Sequence, residues 1–159
     1  MITLPIIQAI CFLTYLWIVV SLYGILPSIS ESWYSEGLTK KKFMFIAFII
    51  SISIPTMLLF SKSLWFLASG GSLLIVTFAP AFRSDKKIVG ILHSAGTIGG
   101  IAFACYALLT HGIYFPTICC LVGSILLDRF KVENSTWWVE IADFTFIVMG
   151  VFQLITLSL

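Results

Sequence analysis

The chain has 159 residues, of which 60% are hydrophobic and only 10% charged, and its mean hydropathy is +1.10. A soluble domain carries about a quarter charged residues, so this composition excludes one, and it equally excludes intrinsic disorder. Nine Lys and Arg against seven Asp and Glu leave a net charge of +2, too little for a nucleic-acid binder. The composition predicts an all-α, polytopic transmembrane helical bundle, one domain over residues 1–159, with no room for a separate soluble module.

A bilayer core about 30 Å thick needs about 20 apolar residues in helical form. Six runs of this kind predict helices over 4–26, 43–60, 64–82, 88–110, 113–127 and 137–159. Pro27 stops the first, Pro55 is expected to kink the second, and Ser69, Gly70, Gly71 and Ser72 interrupt the third. The fifth run is short, rising only about 22 Å, so it begins nearer His111, thins the bilayer or is partly re-entrant. A β-barrel would need alternating polar positions, whereas the stretch from Phe43 to Ile54 is apolar on every face. The first run has no Lys or Arg before it and is too long for a signal-peptide core, which predicts a retained helix.

With six spans the loops alternate between two sides. Lys40, Lys41, Lys42, Arg83, Lys86, Lys87, Arg129 and Lys131 then share one side, and Lys62 stands alone on the other. The positive-inside rule makes the first side cytoplasmic and places both termini outside, in the inner membrane of a cell. All seven acidic residues, Glu31, Glu36, Asp85, Asp128, Glu133, Glu140 and Asp143, fall on or near that same side. The outer loops are a few residues each, too short for a receptor domain. Asn134-Ser135-Thr136 fits the N-glycosylation pattern but falls on the cytoplasmic side.

Ionisable groups within a membrane helix cost several kcal/mol unless neutralised, paired or wet, so each asks for a function. His93 in the fourth span and Glu140 and Asp143 in the sixth qualify. Both helices enter from the cytoplasmic side, which gives His93 and Asp143 similar depths of roughly 8 to 9 Å. The i, i+3 spacing puts both carboxylates on one face. If the two helices are neighbours, the carboxylates meet the imidazole in a shallow cytosolic pocket. The competing expectation is that the carboxylates cap the first turns of the sixth helix, with Trp137 and Trp138 as interface anchors.

Gly96, Gly100 and Ala104 repeat at small-xxx-small spacing on the His93 side of the fourth helix, predicting helix contact within the chain or a homo-oligomer. His93 and His111 are eighteen residues apart, about 27 Å along a helix, so they cannot share an ion, and no metal or cofactor is expected. Cys11, Cys105, Cys119 and Cys120 lack zinc-site spacing and read as small packing residues. Ser94 and the loop residues Ser28, Ser30 and Ser32 lack a nucleophile elbow, and Gly70-Gly71 lacks the Lys-Ser of a phosphate loop.

Three cytoplasmic landmarks occur in a familiar order: Ile29-Ser30-Glu31-Ser32 after the proline ending the first helix, Ala79-Pro80-Ala81-Phe82 and then Asp85 after the third, and Leu92-His93-Ser94-Ala95-Gly96 opening the fourth. Over the first four helices the chain resembles a group of small six-helix bacterial and phage membrane proteins, distantly similar to the eukaryotic DRAM and Sfk-type proteins. The resemblance implies a six-helix bundle with Ser30, Glu31, Asp85 and His93 at the cytoplasmic mouth, and a role connected with membrane lipid. Ser32-Trp33-Tyr34 stands where that motif often has a turn glycine.

Three functions remain open on the residues. The leading expectation is a bundle that binds or organises lipid at the cytoplasmic leaflet, with Ser30, Glu31, Glu140 and Asp143 at the site and Lys40, Lys41, Lys42, Arg83, Lys86 and Lys87 drawing anionic headgroups. An oligomeric proton or ion channel or transporter is the second. The third is an intramembrane hydrolase or transferase acting on a lipid headgroup, with His93 as general base oriented by Asp85 or Asp143.

Overall fold

Each of the six apolar runs contains one α-helix in the computed structural model, which describes residues 2–33, 39–78, 87–130 and 132–157, the side chains of 39–41 and 128 excepted. In chain order these are α1 (Thr3–Tyr23), α2 (Thr39–Leu58), α3 (Leu64–Phe78), α4 (Lys87–Leu109), α5 (Phe115–Arg129) and α6 (Ser135–Thr156). Short 3-10 turns occupy Ile29–Trp33 and Leu59–Ser61. The described residues contain no strand.

Four segments are long and apolar enough to cross a membrane: Thr3–Tyr23, Lys42–Ser61, Lys87–Leu109 and Ser135–Thr156. α3 and α5 have 15 residues each, a rise of about 22 Å. Large apolar side chains cover the outer surface, among them Leu13, Trp17, Ile98 and Ile125. Polar side chains are instead turned inward: Gln8, Ser53, Thr56, Ser69, His93 and Asp143 are all buried. This is the inversion expected of a bundle whose solvent is hydrocarbon.

The helix ends differ from the predicted ones by a few residues, for local reasons. α1 stops at Tyr23 rather than Leu26 because Gly24 takes a φ of +73° and its N–H caps the Val20 carbonyl. α2 continues through Pro55 and tightens into the 3-10 turn at Leu59. α4 ends at Leu109 and the turn beyond it closes on Gly112, at φ +76°, with the Ile113 N–H returning to the Leu108 carbonyl at 3.0 Å. α6 begins at Ser135, two residues before the predicted start, after Asn134 in the left-handed region at φ 55°.

α3 packs between α2 and α4, α5 lies against α6 and α4, and α1 lies against α2 and α6. Glycines make the close approaches. A Cβ on Gly70 would stand 2.6 Å from the Ser53 carbonyl on α2, and one on Gly96 would stand 2.8 Å from the Ser72 carbonyl on α3. At Gly100 it would meet the Leu73 side chain at 2.6 Å, and there the Ser69 hydroxyl donates to the Gly100 carbonyl at 2.7 Å. Gly96, Gly100 and Ala104 are buried. Within the small-residue stripe expected to serve helix contact within the chain or between copies, Gly96 and Gly100 thus meet α3 of the same chain.

Successive helices run in opposite directions, which gathers alternate loops at opposite ends. The Trp137 N–H donates to the Pro27 carbonyl at 3.2 Å, tying the loop after α1 to the start of α6. At the other end a His111 ring nitrogen lies 3.0 Å from the Lys62 carbonyl, tying the loop before α3 to the one after α4. Lys42, Lys87, Arg129, Glu31 and Glu140 belong to the first end, and Lys62 to the second. We refer to these as the charged end and the far end.

Candidate functional site

One face of each of four helices lines a cavity of about 120 Å³ in the middle of the bundle. The wall follows helical periodicity: Phe45, Ile49, Ile52 and Thr56 on α2, Phe66, Ser69, Leu73 and Val76 on α3, His93, Thr97, Gly100 and Ala104 on α4, and Glu140, Asp143, Phe144, Ile147 and Val151 on α6. Gln8 and Phe12 of α1 and Ile29 and Ser30 of the 3-10 turn complete it. On α6 the wall runs from Glu140 to Val151, eleven helical rises or about 16 Å. A cavity that long with so little volume is narrow.

Its two ends differ in chemistry. At the charged end stand Ser30, His93, Glu140 and Asp143. The far end meets Phe66 and Val151, which belong to a packed apolar layer with Leu59, Ala107, Leu108, Ile113, Leu154 and Ile155. Between them the polar side chains are already satisfied by their own or neighbouring backbone. Thr56 donates to the Ile52 carbonyl, Thr97 to the His93 carbonyl and Ser69 to the Gly100 carbonyl. Gln8 donates through Nε2 to the Ile52 carbonyl at 3.0 Å and to Thr56 Oγ1 at 2.8 Å. The middle of the cavity is therefore effectively apolar.

Asp143 is the exception. It is 6% exposed, it lines the cavity, and its Oδ1 has no hydrogen-bond partner. His93, also 6% exposed, lines the same wall from α4. The pairing of α4 with α6, which the sequence reading required for these groups to meet, is present.

Glu140 has a definite task. Its carboxylate accepts the Ile29 N–H at 2.6 Å, satisfying the first free amide of the 3-10 turn. It caps this turn rather than the first turn of its own helix. The turn is bound further by a short relay: Ser32 donates to the Ile29 carbonyl at 2.6 Å, so its oxygen receives the Tyr15 hydroxyl proton, also across 2.6 Å. Ser28 and Ser30 hydroxyls lie 2.9 Å apart. Ser28, Ile29, Ser30 and Ser32 are all buried, so the loop after α1 folds inward and its residues Ile29 and Ser30 form part of the cavity wall.

Of the residues proposed from sequence, the structure brings Ser30, His93, Glu140 and Asp143 to one cavity. Glu31 lies in the same turn but is absent from the wall. Lys42 rests its Nζ 5.3 Å from the Trp33 ring centroid, a cation–π distance. Lys87 is exposed at the start of α4. Arg83, Asp85 and Lys86 lie outside the described residues, as do the side chains of Lys40 and Lys41. Ser94 is exposed, away from the wall. Trp137, expected as an interface anchor, is instead 1% exposed and part of the core beneath the charged end, whereas Trp138 is 40% exposed. Successive helical residues point about 100° apart, and only one of two adjacent indoles could face outward.

Sequence reasoning missed Gln8, Tyr15 and Thr56. Its search for polar groups in the spans was confined to ionisable ones, and an uncharged Gln in the first turns of an apolar helix carries the same signal more weakly. Val148 was missed as well. It lines both the cavity and an outer groove formed with Pro5, Ile6, Ala9, Met149 and Phe152 between α1 and α6. Among the described residues, no group of three or more His, Cys, Asp or Glu is placed to hold a metal ion. No family model, curated protein or solved structure matches the chain.

Proposed function

We propose that the chain is a six-span protein of the cytoplasmic membrane, both termini outside, that binds or organises lipid at the cytoplasmic leaflet. The observation that carries this reading is the narrow, apolar-walled cavity inside the bundle, with its polar groups gathered at the charged end. A space with these walls suits hydrocarbon better than water or ions, because water needs two to four polar partners. Val148 stands between this space and the outer groove, and a single side chain there is a short lateral path from the bilayer. Basic residues at the same end supply attraction for anionic headgroups of roughly 1 kcal/mol each. The resemblance to lipid-associated six-helix proteins points the same way.

The test is flotation of the purified protein with vesicles of neutral or anionic lipid, before and after Lys40→Glu, Lys41→Glu, Lys42→Glu, Lys86→Glu and Lys87→Glu together. A preference for anionic lipid that disappears in the variant supports the reading, and an unchanged preference overturns it. Sidedness is tested by impermeant maleimide on intact cells: Lys62→Cys is expected to be labelled from outside and Arg129→Cys only after permeabilisation.

A further inference from the structure

Asp143 is 6% exposed, lines the cavity and carries an Oδ1 with no hydrogen-bond partner. The neighbouring helix engages its backbone: on α5 the Cys120 thiol donates to the Asp143 carbonyl at 3.9 Å. The side-chain oxygen is left to a donor from the cavity. A carboxyl oxygen buried without a donor bears its full desolvation cost, which any donor small enough to enter would offset.

Size and partners decide which donor that is. An apolar cavity of about 150 Å³ accommodates benzene, and a water molecule takes about 30 Å³ in the liquid. At about 120 Å³ this cavity has room for a few waters. Each needs two to four polar partners, and the described lining concentrates them at one end. Ser30 of the 3-10 turn, His93 of α4 and Glu140 and Asp143 of α6 line the charged end. Ser30 shares a bond with Ser28, and Glu140 Oε2 accepts the Ile29 amide, yet a hydroxyl and a carboxylate each keep acceptor capacity beyond one bond. Further along, Thr97, Ser69 and Thr56 spend their single donors on backbone carbonyls, and Gln8 Nε2 donates to Ile52 and Thr56.

We propose that the charged end of the cavity is a hydration site: a small cluster of water molecules anchored on Asp143 Oδ1 and shared with Ser30, His93 and Glu140, while the wall around Gln8 and Thr56 stays dry. The site goes beyond the lipid reading and does not depend on it. A water here donates to Oδ1 and accepts from a neighbouring donor, which a carboxylate oxygen facing another carboxylate needs as a bridge. It brings a carboxyl buried within the bundle into contact with exchangeable protons.

The experiment is water-edited solid-state NMR on the full chain in neutral phospholipid vesicles, with carbon-13 in Asp, Gln and His and nitrogen-15 in Lys and Arg. The chain has three Asp, two Gln and two His, so Asp143→Asn and Gln8→Met identify the two signals to be compared, and the exposed His111 supplies the wet reference. Magnetisation from water is expected to build up at the Asp143 carboxyl within about threefold of the His111 rate, and at the Gln8 side-chain amide at least about tenfold more slowly. Should Asp143→Asn not fold, Asp85→Asn and Asp128→Asn identify the Asp143 signal by elimination. Transfer to Asp143 as slow as to Gln8 would overturn the proposal, because the site would be dry. Fast transfer to both would overturn it too, because the whole cavity would then be wet. A nitrogen–carbon contact from any Lys or Arg side chain to the Asp143 carboxyl would likewise reject it, since the donor would then be protein rather than water.

Discussion

The Glu140 carboxylate on α6 accepts the backbone amide of Ile29 at 2.6 Å across 111 positions of sequence. Through this bond the last helix holds the first buried loop against the cavity. Removing the acceptor leaves a buried N–H without a partner, which costs about 1–3 kcal/mol. Glu140→Ala is expected to lower the unfolding midpoint and to speed hydrogen exchange at the amides of residues 29–33, with the remaining helices unaffected. Glu140→Gln keeps one acceptor oxygen and is expected to lose less than half as much.

The relay from Tyr15 through Ser32 to the Ile29 carbonyl gives an ordered pair of effects. Tyr15→Phe removes one donor and leaves the Ser32 to Ile29 bond intact, so about 1 kcal/mol is expected. Ser32→Ala strands both the Tyr15 hydroxyl and the Ile29 carbonyl and is expected to cost more, about 2 kcal/mol. Thermal unfolding in detergent that ranks the two variants the other way would show that the loop is held by something else.

Three helical glycines separate close packing from local propensity. At Gly96 and Gly70 an added Cβ meets backbone carbonyls, Ser72 at 2.8 Å and Ser53 at 2.6 Å, which cannot turn aside. Gly96→Ala and Gly70→Ala are each expected to cost about 1–3 kcal/mol through displaced helices. Gly71 has nothing within 4 Å of that position, so Gly71→Ala is expected to be neutral or to stabilise by up to about 1 kcal/mol. The same unfolding assay reads all three.

Gln8 links α1 to α2 through Ile52 and Thr56. Hydrogen bonds between membrane helices average about 0.6 kcal/mol, and Thr56 retains its own bond to the Ile52 carbonyl. Gln8→Met is therefore expected to cost under about 1 kcal/mol despite complete burial of the site. A larger loss in the unfolding midpoint would mark Gln8 as more than a helix tie.

Composition and the order of residues along the chain determined the helical class, the six helices and the separation of charged from bare loops. These are local or additive properties: a backbone in hydrocarbon must satisfy its own hydrogen bonds, and each apolar run does so as a helix whatever its neighbours do. The sequence also pointed to His93, Glu140 and Asp143, because an ionisable group in an apolar run is conspicuous by itself, and to Ser30 only through the family resemblance. Tertiary structure decided the rest. Small residues at Gly96 and Gly100 announce a close contact without naming its partner, since any helix with a matching ridge can fill the groove, and only the packed bundle selects α3. Whether Trp137 or Trp138 turned inward, and whether Glu140 capped its own helix or Ile29, depended on the rotation of α6 against a loop more than a hundred residues away. That rotation is set by side-chain packing among helices that are nearly uniform in hydrophobicity, and no local pattern in the chain encodes it.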